Sequence, residues 1–291
     1  MPASFLLLAL TLAGNDADTA LRLPRNGAVE IDTHVRDVSL RVGTTDFVTV
    51  NGAAAELDGG TLSIGDDMRR GRAGGPIEVI VPAWCRVDIS SVGGNISLTG
   101  TPNRLHAETV NGFIHVTGGS GVLELETVAG EIVVADFHGT KLSVDATDGG
   151  VAISNASGTL AIDNVNGGIT LKGIRSTSVA ASTVNGPVDF EGTFAAIGNY
   201  EFSSQNDNVT LTLPGDVSAR MEITTMNGVL RSAQIPATTN GTRNATSSKD
   251  KGRDKDRGDG ERTFTAVFGS GAARVTVEAF NGDVIVKQRK P

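Results

Sequence analysis

Apolar residues along most of this chain come in pairs two positions apart, with polar residues between and around them. Leu123/Leu125 is followed by Ile132/Val134, Leu142/Val144 by Val151/Ile153, and Leu160/Ile162 by Ile169/Leu171. A spacing of two places both side chains of a pair on one face of a β-strand. The sustained spacing of three and four that a helix needs is not found. Between the two pairs of each unit stands a glycine, here called the anchor. Anchors fall at Gly94, Gly112, Gly130, Gly149, Gly167, Gly186, Asp207, Gly228 and Gly282, separated by 18, 18, 19, 18, 19, 21, 21 and 54 residues. Asparagine often precedes the anchor, giving Asn111-Gly112, Asn166-Gly167, Asn185-Gly186, Asn227-Gly228 and Asn281-Gly282. Both residues tolerate positive φ, so the chain can turn sharply there. A second glycine-containing bend follows each second strand, near Gly118, Gly139 and Gly158. One period therefore reads strand, Asn-Gly turn, strand, bend.

Two all-β architectures fit such a unit. Asn-Gly between alternating strands is also a hairpin signal, so an antiparallel meander would look similar. The near-constant period favours a single-domain β-solenoid of about 18–21 residues and two short strands per rung, because unequal rungs would break the stacking. Equivalent residues would then pile up about 4.8 Å apart. The coil is expected to be right-handed, from the crossover rule.

The domain plan follows from where the pattern weakens. Residues 21–87 hold strand-like stretches such as Val29/Ile31 and Ile77–Val81 without the regular period, and read as degenerate N-terminal rungs. Residues 88–235 form the regular rungs. Residues 236–262 have, after Pro236, no apolar residue larger than alanine and read as a disordered insertion. Residues 263–291 restore the repeat as a closing rung and a basic tail. Residues 1–20 open on an apolar run, Phe5–Ala13, too short to span a bilayer and of signal-peptide length, although no Lys or Arg precedes it. Export to the periplasm or beyond, with no integral membrane segment in the mature chain, is the expectation.

Composition narrows the partners. A net charge of −8 argues against nucleic acid. A lone Cys85 excludes an intrachain disulfide and a cysteine-based zinc site.

Three stretches carry a family resemblance: Val79-Ile-Val-Pro82, the repeated Thr-Val-Asn-Gly units, and the closing Val277-Glu-Ala-Phe-Asn-Gly-Asp-Val284. Over roughly residues 24–288 the chain resembles the DUF4097 family of bacterial envelope proteins. That family has no assigned function, and its members are named adhesins by inference. The resemblance implies a β-solenoid and brings no catalytic motif. Gly93, Ala129 and Asp148 stand where the family pattern has Asn, and Asp207 replaces an anchor glycine.

Candidate chemistry is sparse. The histidines His34, His106, His115 and His138 form no motif, and no Gly-x-Ser-x-Gly elbow occurs. Ser248-x-x-Lys251 lies in the charged insertion, where nothing holds a nucleophile rigid. The calcium nonapeptide is never complete: Leu123 and Ala152 stand at required Asp and Gly positions. No nucleophile, base and oxyanion donors can be named together, so no enzyme and no cofactor is expected. One column stands out. Four residues before the anchor lie Glu108, Glu126, Asp145 and Asp163, outward by the alternation and stacked in a solenoid. This column reads first as a solvated acidic stripe, and second as a weak site for divalent cations or cationic ligands. The asparagine column reads as structural, its amides bonding local backbone and, if stacked, one another. The leading expectation is an adhesin-like or scaffold module presenting polar sheet faces to an envelope polymer or protein. An envelope-stress sensor for cations or cationic peptides comes second, and a carbohydrate-active β-helix enzyme a distant third.

Overall fold

The computed structural model describes residues 19–65, 75–232, 240–243 and 262–289. Parallel pairing settles the architecture in favour of the solenoid. Strands before the anchor, such as Arg104–Asn111, Val122–Ala129, His138–Asp148 and Ser157–Asn166, pair parallel in one sheet. Strands after it, such as Ile114–Thr117, Ile132–Ala135, Val151–Ser154 and Ile169–Ile174, pair parallel in a second. The register is one period throughout, so Val116 meets Val134, Val134 meets Ile153, and Ile153 meets Leu171. Inward side chains of the two sheets form one long core in which these aliphatics are fully buried. Where the rungs lengthen, Phe190, Phe194, Tyr200 and Phe202 fill the wider interior, with ring centroids 4.4–5.5 Å apart. The Tyr200 hydroxyl donates to Ser176 O at 2.6 Å and accepts the Ala195 N–H at 2.7 Å, so its polar end is satisfied. Burial pushes the Cys85 thiol up to about 11, which leaves it protonated and inert.

Both ends depart from simple sequence order. The closing rung does not stack last. Strands Ala273–Ala279 and Val284–Gln288 enter between the rung of Asn199–Ser204 and Val209–Leu213 and the rung of Ala219–Thr225 and Leu230–Ser232. The N-terminal rungs mirror this. Strands Ala28–Thr33 and Val38–Gly43 lie directly against Arg86–Ser91 and Ile96–Thr99 in full parallel register, so this first rung is regular. Thr61–Gly65 and Ile77–Pro82 form the rung outside it. Antiparallel strands then cover the ends: Phe47–Asn51, Thr19–Arg22 and Ala54–Asp58 at one, Arg262–Phe268 and Asn240–Arg243 at the other. A strand running the other way ends the parallel stack and masks its edge. Asn240–Arg243 is thus a strand inside the stretch expected to lack structure. Residues 244–261 and residues 1–18, the latter expected from sequence to hold a signal peptide, lie outside the described residues.

Candidate ligand groove

Each residue of the repeated Thr-Val-Asn-Gly unit has a separate task, and together they build one edge of the solenoid. Glycine makes room. A Cβ at Gly130 would lie 1.8 Å from Gly112 O, at Gly149 1.9 Å from Gly130 O, and at Gly228 1.8 Å from Gly282 O. The carbonyl of one rung therefore enters the space that the missing side chain of the next rung leaves. The anchor column of Gly112, Gly167, Gly186, Gly228 and Gly282 is set by this stacking more than by the turn that the sequence suggested.

Threonine, three residues before the anchor, caps the same carbonyl. Thr109 Oγ1 donates to Gly94 O at 3.2 Å, Thr183 to Gly167 O at 3.0 Å, Ser204 to Gly186 O at 2.8 Å, and Asn164 Nδ2 to Gly149 O at 2.8 Å. This buried polar column was not foreseen, although its threonines are plain in the repeat.

Asparagine forms a ladder. Asn166 Nδ2 donates to Asp148 Oδ1 and Asn185 to Asn166, each at 2.8 Å; Asn206 donates to Asn185 at 2.7 Å, Asn281 to Asn206 at 2.8 Å, and Asn227 to Asn281 at 2.7 Å. Every amide points its N–H the same way, toward the Asp148 carboxylate. The order 206, 281, 227 repeats the interleaving of the rungs. Asn111 stands apart. Its strand neighbour is Ala129, and its backbone N–H donates to Val92 O at 2.9 Å.

Valine, two residues before the anchor, points outward. Val92, Val110, Val128 and Val165 are 41–49% exposed. Beside them runs the acidic column, in strict register from Glu108 to Glu126, Asp145 and Asp163 and also exposed. The two columns are the walls of a lengthwise groove of about 630 Å³, floored by the threonine column. Asp32 and His34 extend it at one end and Ser182 at the other. With rungs about 4.8 Å apart, the groove runs roughly 29 Å from Asp32 to Ser182. The acidic column was legible in sequence; the apolar wall opposite was not picked out.

Serines close the charged run. Ser90 Oγ donates to Glu108 Oε1 at 2.6 Å, and Ser182 Oγ donates to Asp163 Oδ1. No cationic side chain reaches ion-pair distance of Glu126 or Asp145 among the described residues. Burial, then the neighbouring Asp163 charge, pushes the Asp145 carboxyl up. The cations of this face are engaged further out: Arg104 and Lys141 hold Glu124 between them at 3.0 and 3.6 Å. His106 Nε2 lies 4.0 Å from Glu108 Oε2, and His115 is on the other sheet, so the two histidines do not meet. Ser90 and His106 each face Glu108 rather than one another, which is not the nucleophile–base contact of a serine hydrolase. Among the described residues, no three of His, Cys, Asp and Glu gather as a metal-holding group. No described helix is long and apolar enough to cross a membrane.

Fold and groove define a parallel β-solenoid with one built track along its length. The chain belongs to the Toastrack DUF4097 family, whose model matches residues 13–287. A solved Clostridium sporogenes chain, a proposed cell adhesion protein, is similar at 10% identity. The match covers 94% of this chain and 100% of that one, with a TM-score of 0.28. No match was found among curated proteins.

Proposed function

We propose that this chain is an exported, non-enzymatic scaffold of the bacterial cell envelope, adhesin-like in role, which holds an extended partner along its groove. The observation that carries the reading is the acidic column on four successive rungs, Glu108, Glu126, Asp145 and Asp163, which faces the exposed Val110, Val128 and Val165 across one groove. A groove of that length and width suits an elongated chain of an envelope polymer or protein that carries cationic groups on one side and apolar surface on the other. The apolar leader at residues 5–13 supports export. The scarcity of paired nucleophiles and bases supports a binding role over catalysis. The acidic wall also favours a second reading, a sensor domain that reports cationic peptides.

Pull-down from envelope extract with the parent domain and with Glu126→Gln/Asp145→Asn/Val128→Ser tests the proposal. A defined polymer or protein retained by the parent and lost by the variant supports it. Equal retention by both removes the groove from the function. A partner that is an intact wall polymer favours the scaffold; recovery of short basic peptides alone favours the sensor.

A further inference from the structure

The spacing of the groove's charges defines what chemistry fits it. This step rests on the groove being the docking surface. Four carboxylates repeat at one rung, about 4.8 Å. Along a linear amine, two nitrogens separated by three methylenes are four single bonds apart, about 5 Å in an extended chain with bonds near 1.5 Å. Four such nitrogens match Glu108, Glu126, Asp145 and Asp163 with a cumulative mismatch of roughly 0.6 Å. The methylenes between them would lie along Val110 and Val128, which otherwise stand exposed to water. A separate observation concerns the floor. Thr127 Oγ1 and Asn164 Oδ1 have no hydrogen-bond partner, in side chains only 4% exposed, and both residues line the groove. The carboxylate wall offers acceptors only, whereas a protonated amine carries donors only.

The geometry points to the groove as a site for linear oligoamines whose ammonium groups are three methylenes apart, one ammonium per rung. Each ammonium sits against one carboxylate, so binding relieves the repulsion within both rows at once. A longer spacer puts ammonium groups between rungs and loses this match while keeping the charge.

Calorimetric titration at neutral pH and about 0.1 M salt tests it, because charge attraction over more than about 10 Å is largely screened there. The probes are a tetraamine with three three-methylene spacers and one of equal charge with six-methylene spacers. The first is expected to bind at least tenfold more tightly. Glu126→Gln/Asp145→Asn is expected to lower its affinity at least tenfold, and Val110→Ser/Val128→Ser several-fold. Glu56→Gln, an exposed acid on the end cap, should change nothing. All five substituted sites are exposed in the parent, and circular dichroism confirms folding before titration. Equal affinity for the two spacers, or equal affinity of parent and groove variants, overturns the assignment. If neither amine binds while a basic amphipathic peptide still binds in a Val128-dependent manner, the amine assignment falls and the groove reading stands. If no binding of any kind depends on the groove residues, both fall.

Discussion

A methyl group is tolerated at one glycine of this chain and excluded at its neighbour. At Gly149 a Cβ would lie 1.9 Å from Gly130 O, and φ is +144°; at Gly150 the nearest atom is 3.9 Å away. Gly149→Ala is therefore expected to destabilise by about 3 kcal/mol or more, and Gly150→Ala to stay within about 0.5 kcal/mol, as read from denaturant midpoints. The asparagine ladder predicts a milder contrast. Asn185→Ala removes two side-chain bonds, one to Asn166 and one from Asn206, and should cost about 1 kcal/mol. Asn111→Ala, outside the ladder, should cost less than half of that in the same measurement. Asp145 makes a prediction with a definite sign. Its folded-state pKa is raised, so between the unfolded and folded values the native state binds more protons than the unfolded chain. The ionised carboxylate is then a liability above its folded pKa, and acidification through that window relieves it. Asp145→Asn should raise the melting temperature at pH 7 by about 1 °C, with the gain vanishing as pH falls below the ordinary aspartate range. If the gain instead grows on acidification, the sign is wrong. At this scale the sequence was partly legible. The acidic and asparagine columns could be read from spacing alone. The valine wall could have been read from the same Thr-Val-Asn-Gly units, but outward valines run against the expectation that apolar residues of a strand point in. The carbonyl that requires glycine belongs to a neighbouring rung, so the reason for the anchor was not visible within one unit.

Strands and turns were legible because alternation and Asn-Gly are local signals; the order of stacking was not. Every rung carries a similar pattern, so nothing in Asn281-Gly282 marks it as lying beneath Asn227-Gly228 rather than above it. The order is decided by contacts that only the fold creates. Asn208 Oδ1 accepts the Asp283 N–H at 2.7 Å, Asp283 Oδ1 accepts the Val229 N–H at 3.0 Å, and Arg231 Nε donates to Asp283 Oδ2 at 2.7 Å. The Arg231 bond, then the Val229 N–H, hold the Asp283 carboxyl below its usual range, so this stitch weakens as pH falls through its folded pKa. The strand near the end of the chain is paired on both sides, and the usual fraying of a terminus should not occur here. Truncation after Gly271 is expected to release not only the closing rung but also the rung of Ala219–Thr225, which is bound to the solenoid through it. Hydrogen exchange should show amides 219–225 losing protection while amides 199–204 keep most of theirs. Retained protection at 219–225 would mean that this rung can dock directly on Asn199–Ser204.

The whole molecule is a row, and its stability should behave as one. Each rung touches only the next, so the free energy is close to a sum of rung and interface terms, and a defect is felt most by its neighbours. A compact domain of ordinary shape would instead respond as one cooperative unit. Leu171 separates these behaviours because it is fully buried in the middle of the downstream sheet, between Ile153 and Phe190. Leu171→Ala should leave a cavity costing about 2–5 kcal/mol. In a row, that weakness lets rungs open around residues 151–192 without requiring rungs 105–134 to open, because the N-terminal stack keeps its cap and its own interfaces. Native-state exchange on this variant should therefore show amides of Val151–Ser154 and Val188–Gly192 accelerated strongly, and those of Arg104–Asn111 little changed. The groove crosses the weakened region at Asp163 and Ser182, so a groove ligand should restore protection there first. Uniform acceleration across all rungs would show that the two caps tie the row into a single cooperative body, and that the groove is as rigid as the core beneath it.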